Sequence, residues 1–360
     1  MSKIYNFSAG PSSLPPSVME RAREEFLDYG GLGTSVMEIS HRSREFVEIA
    51  ERAEADLRAL LNVNDDYYVL FMHGGASMQF AAVPMNLASI SDTVDYVETG
   101  SWSTKAIREA RRLTRVNIAA TSRDDDYDHI PRFRDWRLTK SARYIHITSN
   151  ETIGGVQFCE FPETDNVPLV ADMSSDFLSR DIDVHRFGLI YAGAQKNVGP
   201  AGLCIVVVRK DLCGKEREQT PSLLSYLVNA QHESMFNTPP TYNWYLTGLV
   251  LGWLKREGGV QTIEIRNRRK AEKLYEAIDK SDLYRSPVQH PYRSIMNVPF
   301  TLSEPELEDR FLEIANARGL VNLKGHRSVG GIRASLYNAI EEDAVDALIE
   351  HMESFEKTTR

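Results

Sequence analysis

The stretch Tyr191-Ala-Gly-Ala-Gln-Lys196-Asn-Val-Gly-Pro-Ala-Gly202 sets one lysine in a glycine-rich turn between two apolar runs, 189–192 and 204–208. A loop lysine taken alone is a solvated surface charge. This one lies between runs that read as buried strands. A crowded pocket there lowers an ammonium pKa, and a neutral amine can form a Schiff base with an aldehyde cofactor. Such a cofactor draws electrons only while its ring nitrogen stays protonated, which calls for a carboxylate opposite it. Asp172, in Pro168-Leu-Val-Ala-Asp172-Met-Ser, is the candidate, because it closes another apolar run and open α/β sheets gather ligands at strand ends.

Around this centre, apolar runs at 67–72, 94–97, 144–147 and 169–171 are further expected strands. Continuous apolar runs, in place of strict alternation, mark strands buried on both faces, the habit of parallel sheets inside α/β layers. Apolar spacing predicts helices over 16–30, 43–60, 242–255 and 261–280. Residues 210–240 carry turn formers and little periodicity, and read as a long surface excursion that crosses to another subunit. Beyond Ser281, strands at 294–300 and 331–335 flank a helix at 304–317, and a helix over 341–355 follows. The expected fold class is α/β, with a large domain over 16–260 holding a mostly parallel sheet between helices. A smaller α+β domain comes from 1–15 and 261–360.

His73-Gly-Gly-Ala76-Ser77-Met-Gln leads from a strand into a helix, whose free amides and positive dipole suit a phosphate. Ala76 and Ser77 are the expected cradle, and the order differs from the G-x-G-x-x-G of a dinucleotide site. Trp102, in Glu98-Thr-Gly-Ser-Trp102-Ser, offers a π face for a cofactor ring. Thr152 and Gln195 are expected to hydrogen-bond the ring oxygen or the phosphate.

The charge balance, 42 basic against 51 acidic residues or −9, argues against a nucleic-acid partner, which needs a basic face. A small anion is still welcome where a few arginines cluster. Cys159, Cys204 and Cys213 are an odd set without C-x-x-C spacing, so neither a disulfide framework nor a metal site is expected, and a reducing cytoplasm fits. No apolar stretch approaches the roughly 20 residues of a membrane span, so neither a signal nor an anchor is expected.

Taken together, Tyr5-Asn-Phe-Ser-Ala-Gly-Pro11, Glu38-Ile-Ser-His-Arg-Ser43, His73-Gly-Gly, Ala192-Gly-Ala-Gln-Lys196-Asn-Val-Gly-Pro200, Asn237-Thr-Pro-Pro240 and Gly325-His-Arg-Ser-Val-Gly-Gly-Ile-Arg333-Ala-Ser span most of the chain. In these blocks the sequence resembles the phosphoserine aminotransferases, class V members of the fold-type I pyridoxal-phosphate enzymes. The resemblance implies a homodimer that converts 3-phosphooxypyruvate and L-glutamate to O-phospho-L-serine and 2-oxoglutarate. It makes Lys196 the cofactor-bonding lysine and Ala76, Ser77, Trp102, Thr152, Asp172 and Gln195 cofactor contacts. Asn237 and Thr238 would reach the cofactor phosphate from the second subunit. His41, Arg42, His326, Arg327 and Arg333 match substrate-anion contacts, with Arg333 at the α-carboxylate and His41 and Arg42 from the neighbouring chain. Planar guanidinium forks suit both a phosphate and a γ-carboxylate. Some family members carry arginine where Ser77 stands, so this chain lacks one possible cation there. Two other readings are a class V desulfurase or lyase, which needs a mobile nucleophilic cysteine, and an inert cofactor-binding protein.

Overall fold

In the computed structural model, which describes residues 3–359, the apolar runs assemble into one seven-stranded sheet. Its order is Tyr67–His73, Leu203–Arg209, Leu189–Gly193, Leu169–Asp172, Ile145–Thr148, Thr93–Glu98 and Arg115–Thr121. Leu203–Arg209 runs antiparallel to both neighbours and the remaining pairs are parallel. The parallel strands therefore finish along one edge, and His73, Glu98, Thr148, Asp172 and Gly193 end there side by side. Register pairs Asp172 with Thr148 on one side and with Tyr191 on the other.

Both faces of the sheet are covered, which is why its strands are apolar throughout. Leu70, Met72, Tyr96, Tyr191 and Val206 pack with Phe80, Val83 and Ile107 from the helices Ala76–Leu87 and Ser101–Ala110. The alternate residues Val69, Phe71, Ile190, Ile205 and Val207 pack with Phe46 and Leu57 of Arg44–Leu61 and Trp244 and Val250 of Thr241–Arg256. Phe71 and Trp244 stack with ring centroids 4.7 Å apart. Each fully buried side chain of this size contributes ~1.5–3 kcal/mol.

A second core gathers Leu274 and Ile278 of the helix Gly259–Lys280, Val298 and Phe300 of Asn297–Leu302, Phe311 of Glu308–Ala317, and Leu348 and Phe355 of Glu342–Thr359. Its sheet is antiparallel, in the order Tyr284–Arg285, Asn297–Leu302, Ile332–Ser335. Phe7 joins this core, and Tyr5–Asn6 pairs in parallel with Leu320–Val321.

Several local expectations need correcting. The strand Arg115–Thr121 was not anticipated; it is an edge strand with Arg115 and Asn117 breaking its apolar run, the usual guard against edge pairing. The first helix is Pro16–Glu24 and stops short of Gly30, because the chain turns through Glu25 to Thr34. Within 304–317 the α-helix covers Glu308–Ala317, after a tighter turn at Pro305–Leu307. The 210–240 segment holds a short helix, Tyr226–Gln231, and is tied down at scattered points, among them Arg217 on the Pro84 and Ala88 carbonyls, Ser234 on Phe71 N–H, and the buried Tyr226. Tyr226 N–H donates to Asn86 Oδ1 at 2.9 Å and its hydroxyl to Gln79 Oε1 at 2.8 Å. Anchoring by single polar contacts leaves no periodicity to read. Among the described residues no helix is long and apolar enough to cross a membrane.

Candidate active site

The strand edge opens into a cavity of about 260 Å³ between the two cores. Lys196 enters it from the turn after Leu189–Gly193. That turn is tight: a Cβ at Gly193 would lie 2.7 Å from Gln195 Oε1. The N-terminal segment braces it, since Ser12 N–H donates to the Gln195 carbonyl at 2.9 Å and the Ser12 hydroxyl to the Lys196 carbonyl.

Lys196 Nζ donates to Thr152 Oγ1 at 2.7 Å and stands 5.5 Å from the centre of the Trp102 ring. Burial pulls its pKa from 10.5 down to about 8; Asp172 opposes the fall and Arg333 assists it. Burial also raises the Asp172 pKa, against the hydrogen bonds of Ser174 and the charge of Lys196. Ser174 places Asp172 by donating its N–H at 2.9 Å and its hydroxyl at 2.6 Å to Oδ1, while Gly193 N–H donates to the same serine Oγ at 3.1 Å. Thr152 is shared, for its carbonyl accepts from Arg333 Nη1 at 3.2 Å.

The helix Ala76–Leu87 begins at the cavity with no side-chain cap, so its first amides are free to hold an anion. Trp102 Nε1 and Gln195 Oε1 are buried without a protein partner, and both residues line the cavity. Orphaned buried polar atoms around a cavity call for a ligand with complementary groups.

The geometry thus brings Lys196, Asp172, Thr152, Gln195, Trp102, Ala76, Ser77, Arg333 and His326 to one cavity. A buried amine of lowered pKa, a buried carboxylate, an anion cradle and an arginine converge there. The class-V aminotransferase family model matches residues 4–348. The chain belongs to the class-V aminotransferases. Phosphoserine aminotransferase of Pseudomonas paraeruginosa is 58% identical over 355 residues, covering 99% of this chain and 98% of that protein. Phosphoserine aminotransferase of Hahella chejuensis is 55% identical over 98% of this chain and 97% of its own. Among solved structures, phosphoserine aminotransferase of Bacillus circulans subsp. alkalophilus superposes with a TM-score of 0.98 at 45% identity, covering 99% of each chain. The PLP-bound phosphoserine aminotransferase of Trichomonas vaginalis gives 0.93 at 38%, covering 98% of this chain and 100% of that one.

Five candidates of this aminotransferase do not line the cavity of their own chain: His41, Arg42, Asn237, Thr238 and Arg327. Arg42, Asn237, Thr238 and Arg327 are exposed, and His41 Nε2 is buried without a partner. His326 lies in the mouth with Nδ1 2.7 Å from Ser328 Oγ, and burial together with Arg333 lowers its pKa. Sequence reasoning missed Ser174, Ser175, Asn150, Phe80 and Gly10, which also line the cavity. For Ser174 a signal was present, since a serine two residues after an aspartate is the spacing of a local Asp-to-backbone turn.

Proposed function

We propose that the chain transfers the amino group of L-glutamate to 3-phosphooxypyruvate, giving O-phospho-L-serine and 2-oxoglutarate, at a site that two copies of the chain complete. The observation that carries the reading is Lys196, buried, with a pKa near 8, between Thr152 and Asp172. The names of the relatives point to the same substrates.

The cofactor is pyridoxal phosphate, and the residues present fit it. Lys196 Nζ would bond its aldehyde carbon, Asp172 would face its ring nitrogen and Trp102 its ring. The amides of Ala76 and Ser77 would hold its phosphate, with Thr152 and Gln195 on its polar edge. When bound, it supplies an electron sink for negative charge at the substrate α-carbon. Arg333 holds the substrate α-carboxylate with a planar fork and so fixes which α-bond faces Lys196. Displaced by the incoming substrate amine, the freed Lys196 Nζ takes the α-proton from glutamate and, in the second half of the cycle, gives one to the α-carbon that becomes phosphoserine. The amino group stays with the enzyme while 2-oxoglutarate leaves and the second keto acid takes the same site, so ping-pong kinetics follow.

The homodimer is supported by the placement of His41, Arg42, Asn237 and Thr238 away from their own cavity. Large apolar residues stand exposed near these blocks, among them Phe26, Leu27, Leu32, Met37 and Phe236. Two domains, 16–260 and 1–15 with 261–360, are supported by the separate core that Phe7 shares with residues 271–355. Cytoplasmic residence fits three free thiols. A desulfurase would need a cysteine at the cavity, and none of the three lines it. Purified protein with pyridoxal phosphate, given the keto acid and glutamate, aspartate or alanine, tests the reading. Glutamate-dependent phosphoserine is expected, and no product with glutamate would end it.

A further inference from the structure

The Ser101–Ala110 helix carries Trp102 into the cavity, yet its N-cap is Gly100, which has no side chain to offer. The cap comes from elsewhere. Glu151, fully buried, accepts at Oε2 from Trp102 N–H at 2.9 Å, and at Oε1 from Ser103 N–H at 2.8 Å and the Ser103 hydroxyl at 2.7 Å. A Cβ on Gly100 would lie 2.5 Å from Glu151 Cδ, so the carboxyl group fills the place a capping side chain would occupy. Glu151 also precedes Thr152, whose hydroxyl accepts from Lys196 Nζ and whose carbonyl accepts from Arg333. Its own carbonyl is pinned by Gly155 N–H at 2.7 Å, which closes the turn that follows.

We propose that Glu151 is a positioning residue: by capping the Ser101–Ala110 helix from a neighbouring strand it fixes Trp102 against the cofactor, and it sets Thr152 between Lys196 and Arg333. This rests on the reading of the cavity as a pyridoxal-phosphate site. A carboxylate at a helix N-terminus opposes the partial positive charge of the free amides, and a buried one does so with little screening. The arrangement is reciprocal, because Gly100 is bare where Glu151 is large.

That reciprocity gives the test. Full-length apoprotein is titrated with pyridoxal phosphate, reading the dissociation constant from absorbance and the ring's setting from the induced circular dichroism of the bound cofactor. Far-ultraviolet dichroism reports folding. Glu151→Ala is expected to weaken binding roughly 10-fold, the loss of a good cap, and to change the induced signal per bound cofactor. Gly100→Ser alone should also weaken it, because the new side chain meets the carboxyl group. The double variant should recover to within about threefold of wild type, since a serine at N-cap bonds the same first-turn amides once the space is free. Glu151→Gln, of equal size, should lose part of the affinity, because one amide then faces an NH2 group. The proposal is overturned if Glu151→Ala and Glu151→Gln bind like wild type, or if the double variant is no better than the worse single one. Wild-type apoprotein that fails to take up pyridoxal phosphate would instead refute the cofactor reading.

Discussion

At pH 7 a lysine with a pKa of about 8 is about one tenth neutral amine, whereas one at 10.5 is neutral roughly 300-fold less often. Lys196 should therefore stand out from the exposed lysines when apoprotein is treated with a small amine reagent across pH 6 to 11 and the labelled peptides are quantified by mass spectrometry. Its labelling should rise with a midpoint near 8, while exposed lysines in the same sample serve as internal standards. The perturbation is Asp172→Asn. The Asp172 charge favours the ammonium, so removing it should move the Lys196 midpoint lower still. The same depression has a consequence for stability. Between about pH 8 and 10.5 the folded chain has released the Lys196 proton and the unfolded chain has kept it. The unfolded state then binds more protons, so apoprotein stability contributed by this group rises with pH across that window, by roughly 3 kcal/mol in all. A Lys196 that labels in step with the exposed lysines, or an Asp172→Asn midpoint that moves upward, would refute the reasoning.

Three further outcomes follow from the geometry. If the proposed homodimer shares its sites, Arg42→Ala and Lys196→Ala preparations should each be inactive, and mixing them after mild dissociation should restore about a quarter of wild-type activity, because half the dimers would be mixed and each would hold one intact site; no recovery would place Arg42 in its own chain's site. Arg333→Ala should raise KM for both substrates by on the order of 100-fold, as expected for a lost charged hydrogen-bond pair, and an effect on only one substrate would contradict the place proposed for it at the shared α-carboxylate. Gly155 has φ of +73° and a Cβ there would lie 2.8 Å from the Asn297 carbonyl, so Gly155→Ala should cost about 1–3 kcal/mol in urea unfolding; an unchanged midpoint would show that the turn yields easily.

How far the sequence disclosed this molecule depended on how each residue is held. The central strands were legible because burial on both faces leaves continuous apolar runs, as at Leu203–Arg209. The edge strand Arg115–Thr121 was not, since an edge is half solvated and its polar residues erase the run. Lys196 and Asp172 were legible because a charge beside buried strands is costly and asks for a reason. Glu151 was not, for its reason is a helix N-terminus 48 residues away in sequence, and nothing local marks that meeting. Arg42 and Asn237 had no local signal either; the family blocks alone singled them out.

The two cores meet at the site through hydrogen bonds, and this bears on how Arg333 is aimed. Asn297 accepts from Asn150 Nδ2 at 2.8 Å and donates to Ser335 Oγ at 3.0 Å and Tyr337 Oη at 3.2 Å; the Tyr337 hydroxyl in turn donates to the Ala9 carbonyl at 2.8 Å. Asn297, Ser335 and Asn150 are buried, so each unmade bond would carry its full desolvation cost. Apolar contacts tolerate small slides between layers, whereas linked buried hydrogen bonds are made in one register. Arg333 lies two residues before Ser335 on the same strand, so this seam sets its reach to Thr152. Asn297→Ala should then cost about 3 kcal/mol of stability from three lost hydrogen bonds. It should also raise KM for glutamate more than it weakens pyridoxal phosphate, because Lys196, Asp172 and the Ala76 helix all stand on the other core. Equal losses in the two affinities would mean that the seam supports the whole cavity and does not aim the arginine.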